Sequence, residues 1–371
     1  MQEKKLDYLF LGPAKPFRGG IAETQNYLAE AMSSRGFKVE VWTFTKLYPK
    51  LLFPGKSQFD KFKIEKNKLK SERIIHAYNF LKWKSVVKKI NAFEPRIVVF
   101  RYWTPLISPC WCYIRSKLNK SIKTVGLIDN WEHHEPKIWD KKLNTYFGNS
   151  MDKIVTFSEA VAAQIKRTIQ KEILVGFHPI PSKSKFKIPE SINHSKTESN
   201  FVLFFGLVRK YKGLETLINS MKYNNNFKLL IVGEFYDNKR KYLNLIEKLN
   251  LNERVNIVDK FVGKEEIINY FLNSKAVILP YKTASQSGVI SLSYFFDKPI
   301  VVSNLEGLTS YVRDDKSGVI FNNTSKDLAY AIDIVLNKKN NYNYSRNIKK
   351  NKKKYSWNRF ADMLIRFTFN T

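Results

Sequence analysis

The chain of 371 residues is longer than one ordinary hydrophobic core needs, so two domains are expected. Its 64 Lys and Arg against 33 Asp and Glu give a net charge of +31, which favours polyanionic partners such as anionic lipid or nucleic acid. Cys110 and Cys112 are the only cysteines, too few for a disulfide framework and too close together for a metal tetrad. We therefore expect a cytoplasmic protein.

The sequence predicts no membrane-spanning helix. Residues 1–7 are charged, and no apolar run reaches the ~20 residues that a spanning helix needs, so any membrane contact is expected to be peripheral. The segment 46–89 is the candidate, because it combines thirteen cations and three acids with the largely apolar stretch 47–54. A solvated basic face over a covered loop is the alternative. Residues 80–93 are interpreted as a core helix.

Short apolar runs alternate with longer amphipathic patterns along the whole chain, which is the rhythm of βαβ units in parallel sheets. In the first half the predicted strands are 7–11, 39–44, 97–100, 124–128 and 153–157. In the second half they are 201–205, 228–232, 255–258, 276–279, 299–302 and 318–321. The polar, Lys-rich segment 182–200 is the predicted linker, which places one domain at 1–195 and another at 196–354.

A candidate phosphate site follows the strand 201–205. Gly206 comes directly after this strand, three cations follow, and a helix opens at Gly213. Arg209 and Lys212 are the candidates for neutralising a diphosphate, because cations and helix-end amides converge on one point. A solvated basic loop is the alternative.

Two other segments have the same order of strand, loop and helix. After the strand 276–279, small polar residues precede a helix near Gly288 whose free amides suit phosphate or sugar oxygens. The predicted binding residues are Ser285, Gln286, Ser287, Gly288 and Val289. After the first strand, Gly19 and Gly20 let the backbone approach a phosphate or a sugar without an intervening Cβ, although a tight structural turn is the alternative.

The polar loop 129–135 follows the strand 124–128, at an edge where α/β sheets place functional groups. It contains Asp129 and Asn130, followed by His133 and His134. A metal site at the two histidines is disfavoured, since successive side chains diverge and no third ligand is evident. A structural surface loop is the other alternative.

Taken in order, these signals resemble the family-four glycosyltransferases, retaining enzymes of the GT-B fold that use a nucleotide-sugar donor. The resemblance spans almost the whole chain and rests on the order of short motifs: Gly12-Pro13 with Arg18-Gly19-Gly20, Lys212-Gly213, Ser287-Gly288-Val289, Asp297 to Val301, Glu306-Gly307-Leu308, Lys316-Ser317-Gly318 and Tyr355-Ser356-Trp357. It implies an α/β protein with two Rossmann-like domains facing a central cleft. The second domain would bind the donor, the first the acceptor, and the helix 355–371 would pack back on the first.

The resemblance also implies roles for individual residues. Lys212 and Arg209 would stabilise charge on the leaving β-phosphate, although the family places its arginine directly after the glycine, where this chain has Leu207. His134, favoured over His133 by its spacing, would contact the donor sugar or its leaving group, with Asp129 and Asn130 in the same loop. In such a retaining reaction the leaving phosphate oxygen takes the acceptor proton, so no dedicated protein base is needed.

Three positions depart from the family. The family carries two glutamates eight residues apart, one toward sugar hydroxyls and one toward the ribose, where this chain has Ser285 and Ser293. A further glutamate is replaced by Ser310, and Gln286 is a candidate for the lost sugar contact. Two alternatives are therefore a non-catalytic glycosyltransferase-like partner subunit and a nucleotide-sugar epimerase of the same fold.

The expected activity is transfer of a hexose from a UDP- or GDP-sugar to a lipid-linked or polysaccharide acceptor, at the inner face of the plasma membrane in cell-surface glycan assembly. Apart from the donor, no cofactor and no metal are expected, because no Asp-x-Asp pair follows a strand and cations take its place. Asp314-Asp315 is interpreted as a surface turn. Nucleic-acid binding is not expected, since no recognition helix, zinc module or aromatic platform motif is present.

Overall fold

The computed structural model describes residues 6–47, 58–59, 69–132, 137–182, 186 and 201–369. The chain divides into two compact units, which we call the first unit (residues 1–177 with 357–371) and the second unit (residues 178–356). The division after Phe177 precedes the expected boundary at 195. Most of the expected linker, including 187–200, lies outside the described residues.

The first unit contains a seven-stranded parallel sheet in the order β3-β2-β1-β4-β5-β6-β7. Its strands are β1 (Tyr8–Leu11), β2 (Val39–Lys46), β3 (Lys70–His76), β4 (Ile97–Tyr102), β5 (Lys123–Ile128), β6 (Lys153–Thr156) and β7 (Ile173–Val175). Its helices are α1 (Gly20–Ser33), α2 (Phe80–Phe93), α3 (Ser108–Ser116), α4 (Asp140–Ser150), α5 (Glu159–Lys166) and, from the chain's end, α13 (Trp357–Phe369). A 3-10 turn, Pro105–Ile107, precedes α3.

Two apolar cores cover the two faces of this sheet. Helices α2 to α5 pack in one core around the fully buried Trp111. Helices α1 and α13 pack in the other, where Phe360 stacks on Phe157 with ring centres 5.0 Å apart. A sheet buried on both faces accounts for the continuous apolar runs of its central strands.

The last helix completes the first unit. The Tyr8 and Thr368 hydroxyls lie 2.5 Å apart, and Arg35, in the turn after α1, is paired with Asp362. The Lys153 ammonium donates to the Phe367 carbonyl oxygen at 2.8 Å. These contacts join α13 to β1, to β6 and to the turn after α1, all of which precede it by more than 200 residues in sequence.

The second unit contains a six-stranded parallel sheet in the order β10-β9-β8-β11-β12-β13. Its strands are β8 (Phe201–Phe205), β9 (Lys228–Val232), β10 (Val255–Val258), β11 (Ala276–Leu279), β12 (Ile300–Ser303) and β13 (Gly318–Phe321). Its helices are α6 (Leu214–Ser220), α7 (Lys239–Lys248), α8 (Lys264–Asn273), α9 (Gly288–Phe295), α10 (Glu306–Asp315), α11 (Ser325–Leu336) and α12 (Lys338–Asn351). None of the helices described is long and apolar enough to cross a membrane.

The interpretation of Asp314-Asp315 as a surface turn is wrong. Both residues end α10, and the Asp315 carboxylate is buried. It accepts hydrogen bonds from the Tyr294 hydroxyl at 3.0 Å and from the Tyr355 hydroxyl at 2.7 Å. Asp315 thus fixes the end of α10 to the segment that leads out of the second unit.

Candidate functional site

The strand order of the second unit creates one place suited to ligand binding. If the six strands are numbered 1 to 6 along the chain, their order across the sheet is 3-2-1-4-5-6. The first strand, β8, therefore lies beside the fourth, β11, and the strands that follow each of them extend to opposite sides of the sheet. Such a switch point leaves a crevice beyond the carboxyl ends of the two strands. The loops 206–213 and 280–287 follow these strands, and they are the two segments predicted to bind phosphate.

The loop after β8 brings Lys212 back to the point where the strand ends. Gly206 has a φ of 99°, and the Lys212 Nζ lies 2.9 Å from the position that a Cβ at Gly206 would occupy. The same ammonium lies 5.5 Å from the centre of the Tyr281 ring, which follows β11. Lys212 therefore connects the two loops, and a side chain at position 206 would displace it.

Lys212 forms no ion pair with any described residue, although its side chain is only 8% exposed. Burial, together with the positive charge of Arg209, lowers the pKa of Lys212 from 10.5 to about 8. Arg209 is exposed, lies 5.2 Å from the Tyr236 ring centre and likewise pairs with no described acid. Two neighbouring cations without a carboxylate partner make a local field that attracts anions.

Two glycines hold the loop after β11 in place. Gly213 has a φ of 67°, and a methyl group there would lie 1.8 Å from the Pro280 carbonyl oxygen. At Gly307, near the start of α10, a methyl group would lie 2.4 Å from the Ser285 carbonyl oxygen. The loop backbone is therefore packed directly against other backbone on two sides, which only glycine allows.

Helix α9 begins at the end of this loop. The Ser287 hydroxyl accepts a hydrogen bond from the Val289 amide at 3.3 Å, and the Ser287 carbonyl accepts one from the Ile290 amide at 3.1 Å. Gly288 is exposed, and its amide has no acceptor among the described residues. Of the predicted amides, that of Gly288 is thus directed to solvent, whereas that of Val289 is used within the helix cap.

The serines in the family's glutamate positions have different surroundings. Ser293 is fully buried and donates to the Val289 carbonyl at 2.9 Å, so it offers no surface to a ligand. Ser310 is exposed on α10. Ser285 is largely buried and Gln286 half-buried, both in the loop that leads to α9. The structure therefore brings Ser285, Gln286 and Gly288 together and separates Ser293 from them.

His178 is a residue of this region that the sequence did not indicate. Its Nδ1 lies 2.9 Å from the Ser291 hydroxyl, which donates to the His178 carbonyl at 3.1 Å. With the hydroxyl hydrogen assigned to the carbonyl, Nδ1 is the donor to the Ser291 oxygen. Nε2 lies 3.4 Å from the position of a Cβ at Gly288. Only the fold brings His178 to α9, 113 residues away.

The first unit has the same kind of switch point, between β1 and β4. Gly12 follows β1, and a methyl group there would lie 2.5 Å from Cβ of Arg101 and 2.6 Å from Oε1 of Gln25. Gly19 has a φ of 106°, and a methyl group at Gly19 or Gly20 would meet no atom within 4 Å. Helix α1 starts here without a side-chain cap, so open backbone is presented as predicted.

Asp129 and Asn130 follow β5 on the next strand of this sheet. Arg101 Nε donates to one Asp129 oxygen at 2.5 Å, and Nη2 donates to the other at 2.6 Å and to the Thr24 hydroxyl at 2.9 Å. Burial raises the pKa of Asp129, against the opposing effect of the guanidinium. Asp129 is therefore held inside the unit, and Asn130 beside it is half-buried. His134 lies outside the described residues.

Other reactive groups in the described residues do not form a second centre. Cys110 and Cys112 are buried, and burial raises the pKa of the Cys112 thiol to about 11, so neither is a nucleophile near neutral pH. The described part of the chain contains no cluster of three or more His, Cys, Asp or Glu side chains that could hold a metal ion.

A comparison with protein-family models identifies the region that contains the β8/β11 switch point. Residues 186–355 match the model described as glycosyl transferases group 1. The match covers nearly all of the second unit, so this part of the chain is similar to that family. A search of curated proteins finds no significant match to the sequence.

Solved structures of other glycosyltransferases share the fold over the whole chain. Sucrose-phosphate synthase from Thermosynechococcus elongatus is 16% identical, covers 97% of this chain and 98% of its own, and has a TM-score of 0.74. A glycosyltransferase from Rickettsia africae is 16% identical, with full coverage of both chains and a TM-score of 0.73. Anabaena HepE in complex with UDP is 15% identical, covers 98% and 99%, and has a TM-score of 0.75.

The recognition of a GT-B glycosyltransferase from the order of its motifs is thus confirmed, as is the α/β class with two parallel sheets. The region that matches the family model contains Gly206, Lys212, Gly213 and Gly288, the residues whose geometry defines the β8/β11 switch point.

Proposed function

We propose that the chain transfers a hexose from a UDP- or GDP-sugar to a lipid-linked or polysaccharide acceptor in cell-surface glycan assembly. The observation that carries this proposal is the pair of cations Lys212 and Arg209, which have no acidic partner among the described residues and lie at the β8/β11 switch point. Together with the open Gly288 amide they suit a diphosphate. Anabaena HepE, which has the same fold, was crystallised with UDP and with UDP-glucose.

The proposed reaction breaks the bond between the anomeric carbon and the β-phosphate oxygen. The acceptor oxygen forms the new bond on the same face of the sugar, and its proton passes to the departing phosphate oxygen, so configuration is retained and no protein base is required. Negative charge grows on the β-phosphate during this step. Lys212 and Arg209 stabilise it in place of a metal ion, because preset charges act without reorganisation.

A thermal-shift panel tests the donor assignment. UDP or GDP, and the corresponding sugars, should raise the melting temperature of wild-type protein, whereas they should stabilise Lys212→Ala much less. Binding raises apparent stability by about 2.7 kcal/mol at a ligand concentration of 100 Kd. Turnover should persist in EDTA. Equal shifts for wild type and Lys212→Ala, or none for any nucleotide, would contradict the proposal.

A non-catalytic partner subunit remains the second candidate. It is favoured by Ser285 and Ser293 in the glutamate positions, since Ser293 is fully buried and presents no surface to a ribose. A neutral hydrogen bond contributes about 0.5–1.5 kcal/mol and a charged one about 1.5–3 kcal/mol, so their loss weakens binding without abolishing it. Hydrolysis of the donor by the purified chain alone would distinguish the enzyme from the subunit.

A further inference from the structure

The first unit exposes large apolar side chains where three of its helices begin. Ile138 and Trp139, directly before α4, are 96% and 50% exposed, and Phe80 and Leu81, the first residues of α2, are 60% and 64% exposed. Leu106 is exposed in the 3-10 turn that precedes α3. We call these five residues the apolar edge.

The topology brings the apolar edge together. Helices α2, α3 and α4 follow the parallel strands β3, β4 and β5, so all three begin at the carboxyl end of the sheet. They contribute to the same core, and α3 packs against both of the others. Because α3 packs between α2 and α4, the three helix starts lie in a row along one edge of the first unit, and we call this row the strip.

Positive charge accompanies this strip. Residues 77–84 and 137–142 contain five lysines and one acid, Asp140, which is buried at the start of α4. The Lys137 ammonium lies 5.4 Å from the centre of the Trp139 ring. The macrodipoles of α2, α3 and α4 add partial positive charge at the same ends.

We propose that the apolar edge docks the first unit on an anionic lipid bilayer. Apolar and aromatic tips surrounded by lysines fit the boundary between headgroups and acyl chains, where the tips enter the apolar layer and the ammonium groups stay with anionic headgroups. Charge complementarity therefore selects a bilayer rather than a neutral protein partner or a second copy of this cationic chain. The proposed function includes a lipid-linked acceptor, and the apolar edge would be the surface that brings the first unit to it. Only this choice of acceptor rests on the proposed function.

Sedimentation with vesicles tests the proposal. Wild-type protein should bind phosphatidylcholine vesicles that contain phosphatidylglycerol far more strongly than pure phosphatidylcholine vesicles, and binding should weaken with salt. Combining Phe80→Ser, Leu81→Ser, Ile138→Ser and Trp139→Ser should reduce the partition coefficient at least tenfold. A matched control is Tyr330→Ser with Tyr342→Ser, which removes aromatics that are 70% and 65% exposed on the second unit. It should change binding less than twofold.

A second variant separates charge from apolar insertion. Lys82→Gln with Lys84→Gln should lower the preference for phosphatidylglycerol while keeping the salt-resistant part of binding. Thermal melting checks that each variant folds. Absence of vesicle binding at low salt, or equal binding by wild type and the serine variant, would overturn the proposal. So would a serine variant that loses self-association but keeps its vesicle binding, because the apolar edge would then be a contact between copies of this chain. UDP affinity measured on the same samples reports separately on the donor site, so the two proposals fail independently.

Discussion

Among the individual residues, Lys212 occupies an electrostatically unfavourable position. Its ammonium is nearly buried, lies beside Gly206 and Tyr281, and has another cation, Arg209, as its charged neighbour. A protein rarely buries a lysine without a partner, because the charged form loses hydration. In the proposed function an incoming diphosphate would supply the missing counter-charge, so the environment of Lys212 would differ between the empty and the occupied site.

Replacement of Lys212 should therefore affect turnover far more than replacement of its neighbour Lys210. We expect Lys212→Ala to reduce kcat/KM by about two to three orders of magnitude, comparable with loss of one preset donor to a developing charge. Lys210→Ala, in the same loop but exposed, is the matched control and should have a mild effect. Steady-state kinetics on both variants decides the point, and similar mild effects would remove Lys212 from the reaction.

Affinity for UDP or GDP should decline as pH rises through about 8. Lys212 is protonated below its pKa of about 8 and neutral above it, so the charge that binds the diphosphate is present at low pH and lost at high pH. Above this pKa, affinity should fall by up to about tenfold per pH unit. Titration calorimetry between pH 6.5 and 9.5 measures the decline. Lys212→Arg should flatten it, because arginine stays protonated, and an equally steep decline in that variant would contradict the assignment.

At the scale of elements, replacement of a glycine should have opposite effects on stability at the two switch points. Gly213→Ala should destabilise the second unit by about 1–3 kcal/mol, because its Cβ would meet the Pro280 carbonyl at 1.8 Å and its φ is 67°. Gly20→Ala should leave stability unchanged, since a methyl group there meets nothing within 4 Å. Calorimetric unfolding of both variants tests this. Comparable stability of the two would show that the loop after β11 adapts.

The buried pair Arg101–Asp129 joins β4 to the loop after β5. Arg101→Met should cost about 3–5 kcal/mol, because it leaves a buried carboxylate without its partner. The double variant Arg101→Met with Asp129→Leu should be less destabilised than Arg101→Met alone, since no uncompensated charge remains. Denaturant unfolding measures the difference. If the double variant is the less stable of the two, Asp129 is held by other groups.

The strands show which elements a sequence can predict. The central strands, such as β4 and β8, are buried on both faces and therefore read as apolar runs, and all eleven predicted strands have ends within two residues of those observed. The strands β3 and β7 were missed, because Lys70–His76 is a largely exposed edge strand rich in charge and Ile173–Val175 has only three residues. The largest differences, of two residues, are at the ends of β2 and β4; Thr45 and Lys46 extend β2 as exposed polar residues.

The site could be predicted only where function is carried by local motifs. The order of strand, loop and helix placed Gly206, Lys212 and Gly288 at this edge of the sheet, and their role in binding stays a prediction. His178 and the partner of Asp129 were not, because each depends on residues that the fold brings together over long distances in sequence. The burial of Ser293 was likewise invisible, since its position in the motif says nothing about which face of α9 it occupies.

At the scale of the whole molecule, the first unit is assembled from both ends of the chain. Deletion of residues 357–371 would remove Phe360 from its stack on Phe157 and Asp362 from Arg35. Loss of a buried phenylalanine alone costs about 3–5 kcal/mol, so the deletion should lower the unfolding temperature of the first unit while UDP still stabilises the second. Calorimetry with and without UDP measures both transitions. An unchanged profile would mean that α13 is dispensable.

The unpaired charge of Lys212 links the lifetime of the protein to its metabolic surroundings. The lowering of its pKa from 10.5 to about 8 corresponds to a penalty of about 3 kcal/mol on the empty fold at neutral pH, which a bound diphosphate relieves. Proteases act on transiently unfolded chains, and the population of these chains rises when no diphosphate is bound to stabilise the fold. Under the proposed function, a cell short of the sugar nucleotide would therefore degrade this protein faster, and sugar transfer would fall in amount as well as in rate.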